Sequence, residues 1–133
     1  MENIKKISHH KGEIAVLYVE LEANRRGYIV NYPRNSNSLY DMIVDNGKKL
    51  SKVQVKYLNR RKSNAKDILE LDLTNKSSSR KFYTKEDIDL LLVYVPAIDK
   101  ILYFLPHNFD KKTSIRVHLT DQNSKYFYGH FLW

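Results

Sequence analysis

Three side chains in the first half of the chain have types and spacing that could do chemistry together: Asp41, Gln54 and Lys56. They bring a carboxylate, an amide carbonyl and an amine. Residues 39–45 and 52–56, which carry them, read as the two strands of a β-hairpin. Period-2 geometry puts Asp41, Ile43 and Asp45 on one face, and Tyr40, Met42 and Val44 on the other. In the second strand Gln54 and Lys56 share a face, opposite Val53, Val55 and Tyr57. The apolar face belongs on a core, which leaves the polar trio lining a cleft. Two oxygen donors with an ammonium beside them make a divalent-cation site that suits phosphodiester hydrolysis. The competing reading is a cross-strand ion pair between Asp41 and Lys56 on a solvated face, with Gln54 merely exposed.

The turn must set the register. A two-residue Asn46-Gly47 turn pairs Asp45 with Lys48 and Asp41 with Lys52. A four-residue loop through Lys49 pairs Asp45 with Leu50 and Asp41 with Gln54. Directly opposed residues point the same way, so both registers keep Asp41 and Gln54 on one face. A three-residue loop without a bulge would separate them.

Other elements must hold this hairpin in place. Ser8 could cap a helix running to about Arg26, with Gly27 just past its end. In it Ile14, Leu17, Tyr18 and Leu21 recur at helical spacing and are expected to form the core stripe, with Glu13 on its flank. Residues 28–32 read as a strand stopped by Pro33 and the polar loop 34–38. A basic polar loop over 57–66 precedes a strand over 67–74, and 75–81 reads as a mobile basic loop. Thr84-Lys85-Glu86-Asp87 has the pattern of a capping box opening one helical turn. A second hairpin spans 89–95 and 100–105, and a last strand 114–119. This order predicts an α/β (α+β) chain with a mixed sheet.

Size and charge narrow the classes of function. A chain of 133 residues is expected to be a single domain with one core. A net charge of +8 favours an anionic partner, nucleic acid before an anionic membrane surface. The absence of cysteine excludes disulfides and thiolate metal sites. Residues 1–6 lack the apolar stretch of a signal peptide, and the longest apolar run, 90–97, is too short for a bilayer. A cytoplasmic protein without a membrane partner is therefore expected. Adjacent His9 and His10 diverge by about 100° on a helix, so they make a poor zinc site. The other histidines are isolated, and the four glycines form no phosphate loop.

Asp41, then Gln54-Val55-Lys56 thirteen residues on, after a helix bearing Glu13, resembles the PD-(D/E)xK nuclease superfamily. More narrowly it is similar to the small group I intron-associated homing endonucleases, whose motif has Gln where most members have Glu. Residues 83–89, Val93-Tyr94-Val95 and Tyr103-Phe104-Leu105-Pro106 resemble their C-terminal half, so the likeness covers about 12–119. It implies a restriction-endonuclease-like core, a mixed sheet flanked by helices, and a Mg²⁺-dependent endonuclease that cuts double-stranded DNA as a homodimer or homotetramer. Mn²⁺ is expected to substitute. Tyr40 stands where the superfamily has Pro, which is harmless if it faces the core.

On this reading Glu13, Asp41, Gln54 and Lys56 are the catalytic set, and Asp41, Gln54, the Val55 carbonyl and Glu13 the metal donors. Glu20 and Glu22 compete with Glu13 for the helix position, while Asp45 and Asp89 read as structural. With only two carboxylates, metal affinity should be weak until phosphate oxygens join. Lys52, Arg60, Arg61, Lys62, Lys66, Arg80 and Lys81 are candidates for DNA phosphates. Asn35 and Asn37 could read base edges but read better as turn residues. The aromatic tail, 125–133, should pack back on the core or form an oligomer contact. Two alternatives stay open: a Holliday-junction resolvase or structure-specific nuclease of the same fold, and a non-catalytic DNA-binding or assembly module.

Overall fold

The computed structural model describes residues 4–62, 64–74 and 82–133. Helix α1 spans Ile4–Arg25 and strand β1 Ile29–Asn31. The hairpin strands are β2, Met42–Asp45, and β3, Leu50–Tyr57. There follow β4 (Ile68–Asp72), β5 (Leu90–Val95), β6 (Lys100–Phe104), the single turn α2 (Pro106–Phe109) and β7 (Ser114–His118). Five strands form one sheet in the order β1-β2-β3-β5-β6. Its central pair, β3 and β5, is parallel and the others are antiparallel. The expected mixed sheet is thus present. One face carries α1. The other is covered by the two-stranded β4–β7 sheet rather than by a second long helix.

The sheet core follows from alternation. Met42, Val44, Val53 and Val55 face α1 together with Leu92 and Tyr94. Leu91, Val93 and Val95 point the other way, into a larger core with Leu69, Leu71, Ile115 and Val117 from the second sheet. Being covered on both faces, β5 is apolar at every position, as a central strand beside a parallel neighbour must be.

Helix α1 corrects two expectations. It begins before Ser8, which lies inside it instead of capping it. The face laid on the sheet is Ala15, Val19 and Ala23, all fully buried, and not Ile14, Leu17, Tyr18 and Leu21, which remain exposed. Both stripes have helical spacing. The smaller residues win because a helix can approach a sheet closely only through short side chains. The helix ends as expected at Gly27, whose φ of +75° suits a residue without Cβ. The Gly27 N–H donates to the Asn24 carbonyl, and the Tyr28 N–H to the Ala23 carbonyl.

The turn between β2 and β3 is the four-residue loop. Asp45 pairs with Leu50 and Met42 with Val53, which sets Asp41 across from Gln54. Asp45 is a turn residue, since its Oδ1 accepts from the Gly47 N–H at 2.8 Å. Asn46 Oδ1 accepts from Lys48 and Lys49, and Gly47 takes a φ of +87°. Strand β2 begins only at Met42, shorter than the sequence suggested, so Asp41 stands at the open end of the ladder.

The tail packs on its own chain. The Tyr103 N–H donates to the Phe131 carbonyl at 2.8 Å, and the Trp133 N–H to Ile101 at 2.9 Å. Phe131 lies against Phe104 and Tyr126, and the Arg26 guanidinium covers Trp133, 4.3 Å from its ring centre. The tail therefore lines the edge of β6.

Candidate active site

In a strand the N–H and C=O of one residue leave on the same side. Both groups of Val53 and of Val55 face β2. The Asp41 N–H donates to the Val53 carbonyl at 2.8 Å, the last backbone bond of that ladder. One step further β2 has no strand residue to offer, and the Asp41 side chain takes over: its Oδ2 accepts from the Val55 N–H at 2.8 Å. Among the described residues Oδ1 makes no hydrogen bond, and the Val55 carbonyl faces the same open edge.

This edge and α1 enclose a cleft of about 520 Å³, lined by Gly12, Glu13, Val16, Leu17, Asp41, Gln54 and Val55. All four residues expected to offer oxygen donors therefore reach one cavity. The helix competitors do not. Glu20 accepts a hydrogen bond from Tyr32, whose hydroxyl is pushed up to about 12 by burial and by that carboxylate. Glu22 holds Arg26 at 3.1 Å and Arg25 at 3.8 Å. Asp89 is committed to the sheet, where its Oδ2 accepts from the Lys52 N–H and its own N–H donates to the Lys52 carbonyl.

Burial pushes the Asp41 carboxyl above its ordinary value, against the lowering pull of the Val55 bond and the Lys56 charge. A carboxylate kept charged here has lost solvation that a cation would replace. Among the described residues no three His, Asp or Glu side chains cluster. The oxygen atoms around the cleft are instead those of two carboxylates, one amide and one backbone carbonyl, a hard-oxygen set of low charge that could take a divalent cation.

Lys56 lies beyond the cleft lining, close enough to Asp41 for its charge to matter. Its Nζ sits 5.2 Å from the centre of the Tyr83 ring. In the sequence Tyr83 stands out only as the first residue of the segment 83–89. Nothing local marks it, because it meets Lys56 across 27 residues of chain. The Thr84–Asp87 turn beside it is half a capping box: the Thr84 N–H donates to Asp87 Oδ2 at 3.0 Å, while Thr84 Oγ1 is buried without a partner among the described residues.

The basic candidates fall into three groups. Lys52 is tied down, its Nζ donating to the Glu86 carbonyl at 2.8 Å. Arg60, Arg61 and Lys66 are exposed and Lys62 half-buried on a segment held against β4 by backbone bonds from Lys62 to Ile68 and from Glu70 to Arg60. The Arg61 guanidinium caps the Lys66 carbonyl. Arg80, Lys81 and the loop over 75–81 lie outside the described residues. Asn35 is a turn residue, its Oδ1 accepting from the Asn37 N–H at 2.8 Å. The same loop walls a small hollow beside Asp41, lined also by Tyr32, Ser36 and Tyr40.

A carboxylate at the open end of a hairpin, a Q-x-K on the neighbouring strand and a helix glutamate across the cleft are the arrangement of a phosphodiester-cleaving nuclease core. The PD-(D/E)XK endonuclease family model matches residues 7–127, and the chain belongs to that family. It is 31% identical over 109 residues to Protein 5.3 of Escherichia phage T7, covering 82% of this chain and 89% of that protein. Its fold is similar to that of the bacterial homing endonuclease I-Ssp6803I, with a TM-score of 0.76 over 93% of this chain and 87% of that one, at 22% identity. Among the described residues no helix is long and apolar enough to cross a membrane.

Proposed function

We propose that this endonuclease is divalent-cation-dependent, hydrolyses phosphodiester bonds of double-stranded DNA, and is of homing or mobile-element type. The observation that carries the reading is the meeting of Glu13, Asp41, Gln54 and Val55 around one cleft, with the Lys56 charge acting on Asp41. Asp41, Gln54, the Val55 carbonyl and Glu13 would hold Mg²⁺, or Mn²⁺ in its place. When bound, the cation supplies a water of lowered pKa and a positive clamp on the reacting oxygens. The Asp41–Val55 bond keeps the carboxylate from turning away from the edge. Glu13 orients water from the helix side. Lys56 positions the attacking water or neutralises charge as it builds on the scissile phosphate. Exposed Arg60, Arg61 and Lys66 hold flanking phosphates, joined by Lys62. The fold shared with a homing endonuclease over most of the chain supports the mobile-element type.

Cutting both strands with one small site calls for a symmetric pair of subunits. We assign the pairing surface to the outward stripe of α1. Ile14 is 39% exposed, Leu17 61%, Tyr18 40% and Leu21 47%, and the four line a shallow groove by themselves. Ile14, Leu17, Tyr18 and Leu21 carry no charge themselves, so the stripe suits an apolar partner surface better than a polyanion. A stable interface needs roughly 800 Å² from each partner. A second copy of the chain is the occupant that fits.

The deciding assay offers supercoiled plasmid, linear duplex and a four-way junction, with and without Mg²⁺. Mg²⁺-dependent duplex cleavage is expected. Asp41→Ala or Lys56→Ala should lower it at least ~10³-fold, about 4 kcal/mol of barrier, with DNA binding kept. Junction-selective cutting would instead make the chain a resolvase, and metal-indifferent binding a non-catalytic module. Unchanged cleavage in either variant ends the site assignment.

A further inference from the structure

Lys56 carries its charge on a flexible four-carbon stem with many rotamers of similar energy. A strand residue of this kind does not by itself present an ammonium at a defined point. In this protein one side of the ammonium's surroundings is Asp41 and another is the face of Tyr83, at a distance where a cation is attracted to the ring quadrupole. The ring cannot retreat. Tyr83 is nearly fully buried in the larger core. Its carbonyl accepts from the Lys111 N–H at 3.1 Å, and the next residue is pinned by Asp87. Burial and the charges of Asp41, Asp72 and Asp87 push its hydroxyl up to about 12, so the ring stays neutral through the working range.

We infer that Tyr83 is a positioning residue, whose buried ring holds the Lys56 ammonium beside Asp41 so that it meets the attacking water or scissile phosphate in one geometry. This rests on the nuclease reading of the site. The role belongs to the ring face and not to the hydroxyl.

The test compares Tyr83→Phe, which keeps the face, with Tyr83→Leu, which keeps an apolar core residue without it. Tyr83→Met serves if the Leu variant does not fold. Single-turnover and steady-state cleavage of a duplex substrate should show Phe within about twofold of wild type, and Leu lowered about tenfold in kcat with KM for DNA unchanged. The Lys56 εCH₂ proton resonance should be shifted upfield by the ring in wild type and Phe, and lose that shift in Leu. A folded Leu variant with wild-type kcat overturns the inference, as does a Phe variant as impaired as Leu. Absence of the ring shift in wild type overturns it without any cleavage measurement. A wild-type chain that shows the shift but cuts no substrate overturns the nuclease reading instead, and the role assigned to Tyr83 with it.

Discussion

Asp41 is worse off folded than unfolded, and that makes it testable by pH. Its carboxyl is raised above the ordinary value of 3.8, chiefly by burial, so the folded chain holds the proton more tightly than the unfolded chain. The sign follows directly: stability falls as pH rises from the ordinary value through the raised one, and the loss is complete above it. Asp41→Asn removes the charge while its amide oxygen can still accept from Val55. It should melt higher than wild type at pH 7 without metal, and the gap should close as pH falls through that window. Mg²⁺ should raise the melting temperature of wild type more at pH 8 than at pH 5, and leave the Asn variant nearly unmoved; equal shifts in both would exclude Asp41 as a ligand. Gln54 is the other telling residue. Gln54→Glu adds a third negative charge to the donor set, and should tighten Mg²⁺ binding in the absence of DNA, measured by calorimetry.

At the scale of elements, α1 and the β2–β3 hairpin together make the cleft, and each depends on how closely the other approaches. Ala15, Val19 and Ala23 let the helix backbone settle on Met42, Val44, Val53 and Val55. Enlarging that stripe should lift the helix. Ala15→Leu is expected to cost about 1–3 kcal/mol by overpacking, although it adds hydrophobicity. Leu17→Ala should cost less, because Leu17 faces outward. Urea denaturation of the two variants decides it, and the reverse order would restore the stripe expected from sequence. The facing of the hairpin was legible because both even-numbered loops preserve parity, but the choice between them was not: the four-residue turn is locked by Asp45 and Asn46 accepting backbone N–H groups. That parallel β3 and β5 would be neighbours was not legible, since the described residues between them form a strand and turns rather than a helix.

For the whole molecule, the proposed partner chemistry falls on two separate segments of the chain. The basic segment after β3 should make DNA affinity fall steeply with salt. Replacing Arg60, Arg61 and Lys66 with Ala should reduce the slope of log K against log salt by about 3, near 0.9 per phosphate contact. A slope unchanged by the triple variant would move the DNA to another face. The outward stripe of α1 is the surface we propose for the second copy. On that proposal wild type should sediment as a dimer and Leu21→Glu as the 15.8 kDa monomer, with the helix signal retained. The chain's lack of cysteine allows a direct check. Leu17→Cys should cross-link to a second copy under oxidation and Leu50→Cys, equally exposed but on β3, should not. A wild type still monomeric at ~100 μM, where a dimer with a Kd of ~1 μM would be almost fully formed, would leave the stripe for a different protein.

What the sequence determined by itself is what local rules carry. The two-residue period of a strand set Asp41, Gln54 and Lys56 to one side of the hairpin, and a glycine ended α1 at Gly27. Only the tertiary structure decided the rest. Two stripes of α1 had equal claim to the core, and close packing of the helix on the sheet chose the small one. Of three helix glutamates, Tyr32 took one, Arg25 and Arg26 another, and Glu13 alone came to line the cleft. The tail could have met another copy, but β6 offered it an unpaired edge. Tyr83 reached Lys56 through a core that no local pattern describes. Periodicity says which residues share a face. Which face is covered, and by what, depends on surfaces brought together from far along the chain.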